Sequence, residues 1–352
     1  MHRTDLALST NAVPLFPERE GLLGPAVVDR ESRSGAAVVD RESRSGTAVI
    51  DRESRNGPAT QERPRRIAAR DLLALTKPRI TISVLITTAG GLWLAPGQMP
   101  FSQVLLALLG TTLIIGSANA INMYLEREID GRVPRTRSRP LPSGRLLPSV
   151  ALWFGAILGL LAIPILALGV NLLTGLLGLL AFLIYTAVYT PLKQHSPLAL
   201  VVGAVPGAIP PLMGWTAARG KLELPGLVLF AILFLWQIPH FLAISLYRVQ
   251  EMSRAGYKVL VAQRGVRAAK VRIVLYLAAL WPVSLLLVPL HIAGTPYLVT
   301  AGIGGAIFFG WGVYGLRESA QGRWARGLFQ VSLVYQMLLM LALGVSRALM
   351  VG

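Results

Sequence analysis

Cysteine is absent from all 352 residues, which removes disulfides and thiolate chemistry but leaves the compartment open. Charge is scarce as well. Only 14% of residues are charged against 53% hydrophobic, and the mean hydropathy is +0.57. A soluble chain cannot bury that much apolar side chain in one core, whereas a bilayer accepts it. Acids are the scarcer charge, with 17 Asp and Glu against 34 Lys and Arg, for a formal net charge of +17. Such an excess of base raises nucleic acid as a partner. The bases flank apolar runs, however, and no nucleic-acid module is visible, so no nucleic-acid partner is expected. The N-terminus also lacks a basic stretch followed by an apolar core, so no cleavable signal peptide is expected.

What is present, from about residue 80 onward, is a series of apolar runs long enough to span a membrane. They read as nine helices, at 80–96, 103–124, 149–169, 171–190, 198–217, 224–247, 272–290, 296–316 and 326–346. The expected class is an all-α polytopic membrane protein, with the transmembrane domain over 71–352. Basic residues gather before the first run (Arg65, Arg66, Arg70, Lys77, Arg79) and after the second, fourth, sixth and eighth. The other side holds only Arg219, Lys221 and Arg347. The bias of basic loops toward the cytoplasm then puts the N-terminus inside and the C-terminus outside. Residues 1–70 form a separate cytoplasmic tail with 11-residue repeats, AVVDRESRSGA, AVVDRESRSGT and AVIDRESRNGP. Each repeat is neutral and too poor in apolar side chains to bury a core, so disorder is expected.

One stretch interrupts this pattern. "INMYLEREIDGRVPRTRSRPLPSGR", residues 121–145, ends the second run with an amide and three carboxylates within nine residues, then a series of arginines. Asn122, Glu126 and Asp130 are spaced four apart, so each is rotated only about 40° from the last and all share one helix face. Glu128 points elsewhere. Stacked carboxylate and amide oxygens suit a hard cation such as Mg²⁺, which commonly takes one or two carboxylates plus substrate phosphate oxygens. The arginines beyond supply delocalised charge and paired donors for a polyphosphate. A solvated, salt-bridged helix end is the plainer explanation. At the end of a membrane helix the functional one is favoured, because acids there are rare without a role.

Two further stretches carry polar groups. In "LWQIPHFLAISLYRVQEMSRAGYKV", residues 235–259, Pro239 is expected to kink or break the sixth helix beside Trp236, Gln237 and His240, and Glu251 follows about three turns on. His240 stays open between a helix–helix hydrogen bond and a ligand role. In "YTPLKQHSPLALVVGAVPGAIPPLMGW", residues 189–215, the prolines and glycines imply a close-packed, irregular segment lining a cavity, and Lys193 lies in the loop before it.

Together with "TKPRITISVLITTAGG" at 76–91, these motifs resemble the UbiA-type intramembrane prenyltransferases, and within them the haem-farnesylating branch. The resemblance runs from about Leu72 to the C-terminus, and "YTPLK", "PPLMGW" and "WQIPHF" in order are its most specific part. It implies nine helices around a central cavity in a bacterial inner membrane, capped on the cytoplasmic side. It implies Mg²⁺-dependent binding of farnesyl diphosphate and transfer of the farnesyl group to a vinyl of haem B. The product, haem O, would pass to a haem A synthase or to terminal oxidase assembly. Matched position by position, Asn122, Glu126 and Asp130 form the first metal–diphosphate motif and Glu251 the acid of the second. Arg135, Arg139 and Lys193 match basic positions near the diphosphate, and His240 becomes a haem-binding candidate. The family usually has Asp where this chain has Glu126, Glu128 and Glu251, which keeps the charge and adds a methylene. Two rivals remain. One is a UbiA-type enzyme acting on a quinone-precursor ring or a chlorin, against which "WQIPHF" argues. The other is a cation-coupled transporter, which should spread its acids through the bilayer rather than cluster them beside arginines.

Overall fold

The computed structural model describes residues 68–319 and 321–351; the repeats and the rest of the expected tail up to residue 67 lie outside them, while Ala69 and Arg70 already belong to the first helix. Among those residues every regular element is helical. In chain order the first are α1 (Ala69–Leu75), α2 (Pro78–Leu94), α3 (Phe101–Leu125), α4 (Arg127–Arg132), α5 (Pro148–Gly169) and α6 (Leu172–Leu183). A π-helical segment, Ile184–Tyr189, joins α6 to α7 (Thr190–Leu192). There follow α8 (Ala199–Arg219), α9 (Leu224–Tyr247), α10 (Val249–Arg254), α11 (Leu260–Leu285), α12 (Thr295–Tyr314) and α13 (Gln321–Val351). Among the described residues eight spans are long and apolar enough to cross a membrane, or nine if α1 and α2, bent by 52°, count as one broken span. Large apolar side chains such as Ile86, Leu160, Ile303 and Leu341 stand exposed on the outside. That is the surface a multi-pass membrane protein presents to lipid.

Local chemistry sets the boundaries. A residue before proline is disfavoured in the right-handed helical region, so α1 stops ahead of Pro78 and Pro78 opens α2 at its first position. The residue between them, Lys77, is left-handed at φ 50°, ψ 67°, an uncommon conformation for a side chain of that size. The tight turn at Val170-Asn171 is held by Asn171. Its side-chain oxygen accepts from Thr174 N–H at 2.9 Å, while its amide donates to Thr216 O on α8 at 2.9 Å.

The helices meet through small residues, as membrane bundles do. α2 lies so close to α8 that a Cβ on Gly91 would fall 2.1 Å from Pro211 O, and one on Gly214 would fall 2.0 Å from Thr88 O. Ser117 Oγ on α3 donates to Gly155 O on α5 at 2.7 Å. A larger apolar core, including Trp215, Ile238, Ile273, Tyr297, Phe308 and Leu328, joins α8, α9, α11, α12 and α13.

Three local expectations need correction. α8 is close-packed but not irregular: it stays helical through Pro206, Pro210 and Pro211, and its first turn lines a cavity. α9 likewise runs unbroken through Pro239. α11 begins about three turns earlier than the apolar run at 272, because its basic first half is a helix and not a loop.

Candidate active site

α3 stops at Leu125, and Glu126 leaves helical geometry at φ −94°, ψ 6°. The four-residue bonding nevertheless continues across the break. Glu126 N–H donates to Asn122 O at 2.9 Å and Asp130 N–H to Glu126 O at 2.8 Å. Asn122, Glu126 and Asp130 therefore all line one cavity of about 260 Å³, at 1%, 4% and 3% exposure. The Glu128 side chain is 76% exposed and pairs with Arg127 instead.

Each inward oxygen holds its own cation. Lys77 Nζ donates to Asn122 Oδ1 at 2.7 Å, Lys193 Nζ to Glu126 Oε1 at 2.8 Å, and Arg139 Nη1 to Asp130 Oδ2 at 2.7 Å. The Asn122 amide donates to Thr190 Oγ1 at 3.0 Å, which turns its oxygen toward Lys77. Three elements supply these cations. The left-handed turn at Lys77 aims one ammonium inward. The loop after α4 brings Arg139, and the π-helical turn with α7 brings Tyr185, Tyr189 and Lys193. π-helical turns often sit at functional sites. Arg135 and Lys258 complete the wall, so five basic side chains face two carboxylates. The remaining wall is apolar, with Leu200, Phe241, Ile244, Val259 and Leu260.

The electrostatics hold Lys193 and Tyr257 protonated, whereas burial first, then the Lys193 and Arg139 charges, bring Lys77 down to about 7. Burial works against the Lys193 ammonium, but Tyr189, whose ring centroid is 4.4 Å from Nζ, and Glu126 outweigh it and hold its pKa above the usual lysine range. Burial first, then the Glu126 charge, push the Tyr257 phenol above its ordinary range, so it remains a proton donor.

Two expected site residues stand apart. Glu251 sits at the mouth, its Oε1 3.8 Å from Arg135 Nε and its Oε2 3.6 Å from Arg248 Nη1, while its neighbour Met252 lines the cavity. His240 packs between Trp236 and Phe329, with both ring centroids at 4.8 Å, on the face of α9 turned to α13. Its Nδ1 is 2.7 Å from Ser332 Oγ, and that hydroxyl donates to Phe329 O at 2.6 Å. Nδ1 therefore carries the hydrogen and Nε2 the lone pair.

Among the described residues, no three Asp, Glu or His side chains gather as a metal cage. Two carboxylates and an amide oxygen beside a cationic cavity still fit Mg²⁺, which takes much of its shell from substrate phosphate and water. Sequence reasoning missed Lys77, Tyr185, Tyr257 and Lys258 as cavity residues. All but Tyr185 lay inside quoted motifs.

The UbiA prenyltransferase family matches residues 84–334. A protoheme IX farnesyltransferase of Myxococcus xanthus is 50% identical over 279 residues, covering 79% of this chain and 95% of that protein. One of Sorangium cellulosum is 50% identical over 275 residues, covering 74% and 98%. Among solved structures, a digeranylgeranylglyceryl phosphate synthase superposes with a TM-score of 0.70 at 20% identity, over 79% of this chain and 98% of that one. A UbiA homolog from Archaeoglobus fulgidus bound to DMAPP and Mg²⁺ gives 0.54 at 15% identity, over 78% and 99%. At such identities the superpositions speak for the fold alone, whereas the family match and the half-identical relatives speak for descent. The chain belongs to the UbiA prenyltransferase family.

Proposed function

We propose that this protein transfers the farnesyl group of farnesyl diphosphate to a vinyl group of protohaem IX (haem B), giving haem O and diphosphate, as the names of its half-identical relatives suggest. The observation that carries the reading is the charge of the cavity: five basic side chains against two buried carboxylates, with an apolar wall opposite. A diphosphate supplies the missing negative charge, and its prenyl chain suits the apolar wall.

Lys77, Arg139 and Lys193 would turn from Asn122, Asp130 and Glu126 toward diphosphate oxygens, and Arg135 and Tyr257 would add donors from the mouth. Concentrated there, these donors stabilise the charge that develops as the allylic C–O bond breaks with its electron pair on the diphosphate. Mg²⁺, when bound by Asn122, Glu126 and Asp130, would add Lewis-acid stabilisation of the same oxygens. Glu251 is assigned to the far side of the mouth, where it steadies Arg135 and offers a further acid. The vinyl π electrons form the new C–C bond, water adds to the resulting cation and a proton leaves. Phe241, Ile244 and Leu260 keep other water away from the allylic cation. No side-chain nucleophile is needed.

The basic end faces the cytoplasm of a bacterial inner membrane in this reading, and haem O passes on to a haem A synthase or to oxidase assembly. His240 lines neither cavity and packs against Phe329 and Ser332 of α13, so it is read as a packing residue and not as a haem ligand. His240→Ala should leave haem titration unchanged, and weakened haem retention with farnesyl diphosphate binding spared would restore the ligand role. The central test is pigment analysis of membranes expressing the chain. A haem heavier by a hydrated farnesyl group is expected. Prenylation of a quinone precursor, with haem untouched, would reject the assignment.

A further inference from the structure

A second cavity, of about 510 Å³, opens beside the first at the same end of the bundle, between the start of α8, α9 and α11. The two share Pro197, Leu200 and Leu260 as a common wall. The floor of the second is apolar, with Val201, Ile238 and Leu242, and its rim carries Gln263, Arg264, Arg272 and Tyr276. No Asp or Glu lines it. Among the described residues neither Arg264 nor Arg272 has a hydrogen-bond, ion-pair or ring partner. In the first cavity, by contrast, four of the five bases, Lys77, Arg135, Arg139 and Lys193, are engaged.

The backbone is shaped to deliver both guanidiniums. Gly265 adopts φ 76°, ψ 169°, a region open essentially to glycine alone, and it breaks α11 just after Arg264. The segment before the kink carries Arg264 and the long part of α11 carries Arg272, half-buried about two turns further along, and both line the same cavity. Arg264 is exposed and Arg272 half-buried, so both guanidiniums stand at the rim free to meet an anion. An anionic group above an apolar floor is what the pair lacks, and Arg suits carboxylates through its paired donors.

We infer that this second cavity seats the acceptor: a flat apolar macrocycle with two carboxylates, its carboxylates on Arg264 and Arg272 and its ring on Val201, Ile238 and Leu242. This rests on protohaem IX being the acceptor. In that molecule the propionates and the vinyl groups lie toward opposite edges. Anchoring the propionates therefore turns a vinyl edge toward Pro197, Leu200 and Leu260, the wall shared with the diphosphate cavity. An anionic lipid headgroup offers the same charge. The abutment on the diphosphate cavity favours the acceptor.

The test uses the full chain in phosphatidylcholine nanodiscs, titrated with protohaem IX and with its dimethyl ester, which keeps the ring and loses both charges. Wild type should bind the ester at least about tenfold more weakly, the scale of one lost charge-assisted hydrogen bond. Arg264→Gln and Arg272→Gln should each weaken protohaem IX by about tenfold, leave the ester unchanged, and retain farnesyl diphosphate affinity as the sign of an intact fold. Equal binding of acid and ester overturns the inference without any variant. So does a loss of phosphatidylglycerol retention in the variants with protohaem affinity intact, since the site would then be a lipid's. If wild type farnesylates acid and ester alike, only this inference fails. If it neither binds nor prenylates protohaem IX, the functional reading fails with it.

Discussion

The two ends of the bundle each carry a charge cluster, and the clusters are built on opposite plans. At the far end one carboxylate, Glu223, is saturated. Trp215 Nε1 donates to it at 2.9 Å, Arg219 Nε at 3.0 Å, and Lys221 lies at 3.0 Å. Arg219 also donates to Pro96 O at 3.0 Å, so the cluster clamps the α8–α9 turn onto the end of α2. Hydrogen bonds from Arg219 first, then Lys221 and Trp215, bring the Glu223 pKa down to about 2. At the basic end Glu126 and Asp130 each hold a single cation, further bases stand by, and all of these border a cavity. A cluster whose charges cancel serves as a clamp, whereas one with surplus cations around a void is prepared for an anion. Charge alone does not mark a site; unspent charge beside space does.

Breaking the basic cluster should cost the most activity. Asp130→Asn removes a carboxylate from the cavity and leaves Arg139 without its partner, so turnover should fall by about 10²-fold or more in a prenyl-transfer assay. Lys193→Met strands Glu126 in a nearly dry setting and removes a diphosphate donor. A loss of roughly ten- to a hundredfold is expected, with a raised KM for farnesyl diphosphate, the sign of weakened substrate binding. Glu251→Gln breaks two long, partly exposed ion pairs, for which a loss of about tenfold or less is expected.

The far cluster should behave differently. Glu223→Gln should change turnover by less than about twofold yet lower thermal stability in detergent, with the sign set by linkage. The folded pKa of Glu223 lies below its ordinary 4.5, so its stabilisation is present above pH 4.5 and lost as pH falls toward 2. Wild type should therefore lose its advantage over Glu223→Gln across that window. A variant as stable as wild type at neutral pH would refute the clamp.

The spans were legible because lipid demands long apolar runs, and their ends fell within a few residues of the caps for most helices. The start of α11 was not, because Arg264, Arg267 and Lys270 read as a polar loop until packing is known; Lys270 is buried, its Nζ donating to Glu318 O at 2.7 Å. The face shared by Asn122, Glu126 and Asp130 followed from four-residue spacing, which survives the break at Glu126 through two backbone bonds. Lys77 escaped notice because its role depends on a left-handed backbone, and propensity puts few such residues there. Tyr185 and Tyr189 depend on a π-helical turn that no hydrophobic period announces. Pro239 misled in the other direction, since a proline predicts a break and neighbouring helices can absorb it.

The most direct test of the account is farnesyl transfer to protohaem IX as a function of Mg²⁺ concentration, for wild type, Asp130→Asn and Glu128→Gln side by side. The two acids lie two residues apart, one 3% exposed in the cavity, the other with its side chain 76% exposed. The account predicts a large loss and a higher Mg²⁺ requirement for Asp130→Asn, with Glu128→Gln close to wild type. Equal damage from both substitutions, or a Mg²⁺ response unchanged in Asp130→Asn, would contradict it.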